Sequence, residues 1–263
     1  MIVNNTQRGF LVDPEIQQWC SQIRLQKLRS ELGPAVRTLL WTKKLHSVVT
    51  SWVRRELISD FLESGEFGSQ SDRNQKLLLA SDQWQSLNGE NTSPPCDKID
   101  YENWYFAEEV LVAWSRQQWE QRLESLYLSK KQGLDFVSCS LLRVKDQSLA
   151  FELSLRLKAN EASFEQLSWK YGEGPERSQG GRFEHQRLEC LPNALRPLLA
   201  KLKPGGVLKP HSLGDWFVIV ALDELVPAQF DDTTKLYLLS CELQAWLQKL
   251  SLYLVHHLEL SDP

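Results

Sequence analysis

The chain reads as an α+β protein, helical at both ends with a short mixed segment between. Three observations predict this. Apolar residues recur at helical spacing through residues 14–131. After Gly133 the pattern shortens into runs of β-branched and aromatic residues, which favour strands. Residues 231–257 then return to helical spacing.

The elements follow in order. Asp13-Pro14 is a helix start, a capping side chain followed by proline at the first helical position. Ile16, Trp19, Ile23 and Leu28 continue it until Gly33-Pro34. A second helix is expected from Pro34 to Leu62, with Val36, Leu39, Val48, Val49, Trp52, Leu57 and Phe61 in a broad apolar stripe. GEFGSQSDRN is a turn or loop, and a shorter helix is expected over 73–87. NGENTSPPCDK, residues 88–98, has the composition of a linker. A long helix should run from Tyr101 to Lys131.

LDFVSCSLLRV, residues 134–144, reads as a buried strand, and helices are expected over 147–158 and 161–171. The glycine-rich stretch KYGEGPERSQGGRFEHQRL follows. A short helix near Asn193–Leu202 leads to the turn KPGG, then to strands Val207–Lys209 and Trp216–Leu222 around the turn HSLGD. In the last helix Leu236, Leu239, Leu243, Trp246, Leu250 and Leu254 share one face. The expected domains are therefore 1–133, helical; 134–226, mixed; and 227–263, a helix packing on the first.

Composition narrows the function classes. The 263 residues are 42% hydrophobic and 24% charged, with a net charge of −4, a balance that weighs against nucleic-acid binding. The five cysteines lie far apart without a CxxC pair, so buried reduced thiols are expected and a zinc site is not. The first twenty residues lack a basic stretch followed by an apolar run, and no segment approaches the roughly 18 apolar residues of a membrane span. A cytoplasmic protein with no metal and no cofactor is expected, not integral to a membrane. Seven of the ten tryptophans precede residue 133. They fill a helical core, or they line an aromatic groove for peptide segments.

Known enzyme motifs do not fit. A phosphate-binding glycine loop follows a strand and opens a helix; this one follows a helix and carries Glu173 and Glu176, which repel anions. Neither GxSxG nor HExxH is present. His256-His257 sits where a helix end favours cations, and Glu108-Glu109 reads as a solvated face.

Element order and spacing together carry a different signal. FVSCSLLRV, SFEQLSWKY, the QGG turn, LKPGGVLKP and LGDWFVIVAL stand in the order of the corresponding segments of the parvulin family of peptidyl-prolyl isomerases. Residues 134–226 resemble that family. With helices on either side the whole chain resembles the SurA-like folding chaperones, most closely a cyanobacterial-type branch. The resemblance implies a SurA-like helical N-terminal domain completed by the C-terminal helix, with a parvulin-like βαααββ domain inserted. It implies unfolded or extended proline-containing polypeptides as partners, and export machinery as a further one.

Parvulins present two facing histidines, a nearby Cys or Asp, and an apolar proline pocket. Carried over by position, the first histidine falls on Ser140, the second on Trp216, and the Cys/Asp on Gly174. His185 and His211 lie close in sequence without occupying a family position and are the candidate substitutes. Phe183, Leu191, Leu195 and Trp216 align with the proline pocket. The expected function is a polypeptide-binding chaperone whose isomerase activity is weak or lost. The alternatives are an active isomerase that works by desolvating the imide in an apolar pocket, and a non-enzymatic scaffold.

Overall fold

A computed structural model describes residues 14–88 and 97–259; residues 89–96 of the linker expected at 88–98 lie outside them, while 88 and 98 end and begin helices. The helices and strands are, in chain order, α1 Pro14–Trp19, α2 Gln22–Leu32, α3 Val36–Trp41, α4 Leu45–Glu63, α5 Gln70–Asn88, α6 Lys98–Tyr105, α7 Ala107–Trp119, α8 Leu123–Leu134, β1 Phe136–Val144, α9 Gln147–Lys158, α10 Phe164–Tyr171, β2 Arg182–Arg187, α11 Arg196–Leu199, β3 Gly206–Val207, β4 His211–Leu213, β5 Trp216–Val226 and α12 Asp232–Glu259. The fold is α+β. Two compact units divide the chain: residues 1–121 with 236–263, and residues 122–235.

The first unit is all helical. Val49, Trp52, Val53 and Leu57 of α4, Val110 and Leu111 of α7, and Leu239, Trp246, Leu250 and Leu254 of α12 are buried. A hydroxyl pair, Thr50 Oγ1 to Ser251 Oγ at 2.9 Å, marks where α4 meets α12. Leu236, expected on the buried face, is exposed. No helix among the described residues is long and apolar enough to cross a membrane.

Two expected long helices are broken, neither at a glycine or proline. The 34–62 helix ends at Thr42, whose hydroxyl bonds back to the carbonyls of Thr38 and Leu39. Lys43 then takes a left-handed φ of 58°, and the amides of Lys43 and Lys44 bond to the carbonyls of Leu40 and Leu39. That pair of bonds terminates a helix in the Schellman manner, usually with glycine at the left-handed position. The 101–131 helix breaks at Phe106, fully buried against the rings of Tyr105 and Phe67, and again through a 3-10 turn at Glu120–Arg122.

The second unit is built on an antiparallel sheet in the order β2-β1-β5-β3, with β4 also paired to β5. The βαααββ expectation therefore lacked two strands. β2 lies at the sheet edge with mostly exposed side chains, so no apolar alternation marked it. β4 is three residues long and pairs through the hairpin Leu213–Trp216.

Each face of the sheet is covered. Leu142, Val144 and Ile219 pack against Ala150 and Leu153 of α9 and Leu167 of α10. On α9 the carboxylate of Asp146 caps the amides of Ser148 and Leu149. On α10 Ser163 and Gln166 form a reciprocal capping box, which starts this helix three residues later than expected. The opposite face carries the candidate site.

Candidate functional site

Alternation along β1 and β5 sends Val137, Cys139 and Leu141 with Val218, Val220 and Leu222 to that second face. Leu191, Leu195, Leu198 and Leu199 close over it from the segment that contains α11. Phe183 and Trp216 are half-buried at the margin of this cluster. They are the two of the expected pocket residues that still present surface. Leu191 and Leu195 are 2% and 1% exposed, so they form the packed floor rather than a wall that a ligand touches.

The expected polar candidates do not gather here. Ser140 is one residue out of phase with Cys139 and Leu141, and it is absent from the cluster. Its hydroxyl donates to Asp223 Oδ2 at 3.3 Å instead. The β1 residue next to Ser140 that does face this cluster is Leu141, which the positional match missed. The signal for it was the alternation with Cys139, interrupted only by the register shift between Ser138 and Cys139.

His185 is exposed on β2 at a left-handed φ of 44°. It occupies an irregularity where β2 advances from Phe183 to Gln186 while β1 advances from Cys139 to Val137. Its ring stacks on Phe136, centroids 4.4 Å apart and 7° from parallel. His211 is exposed at the start of β4, opposite Val218. His185 turns to Phe136, whereas the pairing with Val218 places His211 on the face of the apolar cluster, exposed at its edge.

Gly174 explains itself by what lies over it. Arg143 Nε and Nη2 donate to Glu176 Oε1 and Oε2 at 2.6 and 2.5 Å, a bidentate pair with the Glu176 side chain 5% exposed. A Cβ on Gly174 would stand 2.2 Å from Glu176 Oε1 and 2.3 Å from Arg143 Nε. The volume that a Cys or Asp side chain would need at 174 is filled by this pair. The hydrogen bond to Glu176 is also the largest reason the Arg143 guanidinium holds its proton even more firmly than usual.

Positive charge flanks Trp216. The Lys145 ammonium lies 5.4 Å and the Arg143 guanidinium carbon 6.0 Å from its ring centroid. Among the described residues no three His, Cys, Asp or Glu side chains are grouped to hold a metal ion.

Cys139, the one sulfur in the cluster, is no nucleophile. Burial, and secondarily the charge of Asp223, pushes its thiol up to about 12. At pH 8 iodoacetamide should alkylate the exposed Cys190 and leave Cys139 unmodified until the fold is melted in denaturant; mass mapping of the labelled peptides reads this directly. Labelling of Cys139 at the rate of Cys190 would contradict the packing. The same shift destabilises the fold in alkali. The unfolded thiol ionises near 9 and the folded one near 12, so stability is lost as pH rises between these values.

No protein-family model and no curated protein matches the chain. Solved structures do. A peptidylprolyl isomerase, PrsA, from Bacillus anthracis is 16% identical over 79% of this chain and 95% of its own, with a TM-score of 0.40. A PpiC-type peptidyl-prolyl cis-trans isomerase domain is 19% identical over 38% of this chain and 99% of its own, with a TM-score of 0.33. A SurA-like chaperone of Campylobacter jejuni is 13% identical over 92% of this chain and 94% of its own, with a TM-score of 0.33. The solved structures that this chain is similar to are thus peptidyl-prolyl isomerases of the PrsA and PpiC type and SurA-like chaperones.

Proposed function

We propose that the chain is a polypeptide-binding folding chaperone of SurA-like organisation, whose unit of residues 122–235 is a parvulin-type domain without effective isomerase chemistry. One observation supports this above the others. The candidate face offers a ligand Phe183 and Trp216 over an apolar floor, while Ser140 bonds to Asp223, His185 stacks on Phe136, His211 stands exposed at the edge on β4, and the Gly174 volume is taken by the Arg143–Glu176 pair.

Prolyl isomerisation faces a barrier of about 18–20 kcal/mol. Lowering it requires groups that favour the twisted amide over the planar one, not a surface that binds both equally. An aromatic margin supplies the second kind of interaction. Covering roughly 100 Å² of a proline residue contributes on the order of 2.5 kcal/mol before the cost of association, so a single X-Pro segment binds weakly. Clients are then extended chains that engage more than one place. A cytoplasmic location rests on the scattered cysteines, none in a CxxC pair, and assistance to export on the sequence resemblance alone.

The test pairs a protease-coupled isomerisation assay with suppression of aggregation of an unfolded client. Wild type should suppress aggregation without accelerating isomerisation. Trp216→Ala and Phe183→Ala should each cost roughly 1–2 kcal/mol in client affinity, read as a five- to thirtyfold weaker midpoint. Isomerisation accelerated by wild type and abolished by either change would overturn the reading in favour of an active enzyme. Neither effect would leave a scaffold.

A further inference from the structure

Within the helical unit two adjoining depressions, about 350 and 220 Å³, share Trp19, Arg24 and Trp114 in their walls. Together they form one groove. Its floor includes Trp246 and Trp119, 7% and 3% exposed. The rings are mutually braced: Trp114 lies 4.9 Å from Trp246 and 5.3 Å from Trp119, and Trp19 meets Trp246 edge-on at 6.1 Å. The Arg24 guanidinium carbon lies 4.3 Å from the Trp19 ring centroid, and Arg24 pairs with Asp60.

Two features of this groove point to a ligand. The first concerns donors. Trp52 gives its indole N–H to Glu31 at 3.0 Å. The indole N–H groups of Trp19, Trp114 and Trp246 have no hydrogen-bond partner among the described residues, and none is sealed from solvent. An indole with an apolar face and an unused donor suits a ligand with apolar rings and unused acceptors. The second concerns charge. One end of the groove is bounded by the neutral amides Gln18 and Gln118. The other is bounded by Asp60, neutralised by Arg24, and by Glu66, which takes a hydrogen bond from Gln117 but has no cationic partner among the described residues.

We infer that this groove binds a proline-containing polypeptide segment in the polyproline II conformation, with a basic residue at the Glu66 end. Such a segment presents carbonyls that no internal hydrogen bond uses, and its prolines bring no N–H needing an acceptor. The tryptophans supply donors and ring faces, and Glu66 supplies the counter-charge. The inference rests on the reading that the chain binds polypeptide clients, and adds a second place of contact on the other unit.

The probe is a fluorescein-labelled oligoproline peptide ending in two arginines, titrated with the full chain and followed by anisotropy. Trp114→Ala should weaken binding about tenfold or more. Trp114→Phe, which keeps ring packing and removes the N–H, should weaken it about three- to fivefold. Glu66→Gln should remove a two- to fivefold preference over the same peptide ending in two glutamates. Circular dichroism of each variant separates these effects from unfolding.

Unchanged binding in folded Trp114→Phe, or equal affinity for both peptides, overturns the assignment. If Trp216→Ala abolishes binding and Trp114→Phe does not, the client-binding reading survives and this groove is not the site. If no peptide binds and sedimentation shows a dimer lost in Trp114→Ala, the groove joins copies of the chain and the inference fails.

Discussion

Gly181→Ala should destabilise the sheet unit by about 3 kcal/mol or more, while Gly180→Ala, one residue away, should cost only about 1–2 kcal/mol. Both glycines have left-handed φ, 78° at Gly181 and 64° at Gly180, so both pay the strain of a side chain in that region. What differs is the neighbour. A Cβ on Gly180 would meet Glu165 Cγ at 2.6 Å, the flexible stem of a side chain that can swing aside. A Cβ on Gly181 would stand 2.5 Å from the carbonyl oxygen of Leu141 and 2.9 Å from Ser168 Oγ. Leu141 is in the central strand β1, and its amide bonds to the Gly181 carbonyl at 2.8 Å. Relief therefore means moving β1 or detaching the turn from it. Urea titration of the two variants, followed by near-ultraviolet circular dichroism, reads the difference. Equal costs would show that the strained backbone alone, and not the approach to Leu141, sets the need for glycine.

How far the sequence reveals this molecule depends on where each structural cause lies. The two long strands are legible because their cause is local: FVSCSLLRV and WFVIVALDELV carry the β-branched and apolar side chains that a covered sheet requires. The start of α10 has an equally local cause, the capping box that closes within SFEQ, although the expected start at 161 passed over it. The end of α3 is not legible, because Lys43 takes a conformation that a reader expects only of glycine or asparagine. β2 is hidden because its pairing is through the backbone while its side chains stay in water.

At the candidate site the apolar residues were readable and their geometry was not. Pairing of β1 with β2 and β5 brings Phe183 and Trp216 to one face of the sheet, at separate places along β1. The exchange of Ser140 for Leu141 follows from strand alternation, which a positional match ignores. Gly174 is the clearest case. Its neighbour Glu176 is in the same loop, but the arginine that completes the pair is 33 residues from Glu176 along the chain.

Gly174→Cys, which places a thiol at the positional match to the parvulin Cys, should give no gain in isomerisation and should destabilise the sheet unit by about 2–4 kcal/mol. The added Cβ falls inside contact distance of both members of the Arg143–Glu176 pair, 2.3 and 2.2 Å. The pair must separate or shift. Separating a buried ion pair costs about 3–5 kcal/mol when a charge is left behind. Arg143 is partly solvated, its side chain 27% exposed, and can turn to water, whereas Glu176 at 5% cannot. The cost should therefore fall below the full penalty. A double-mutant cycle isolates the cause. Glu176→Ala alone leaves the guanidinium without its partner and is itself destabilising. With the carboxylate gone, however, the thiol has room, so Gly174→Cys in that background should cost at least about 1.5 kcal/mol less than in wild type. Strict additivity of the two changes would mean that the pair does not compete for the volume at 174. Wild-type stability of Gly174→Cys with a gain in isomerisation would sink the larger claim as well. That claim is the proposal above, in which the Arg143–Glu176 pair fills the loop at 174 and Phe183 and Trp216 bind a client without turning its proline.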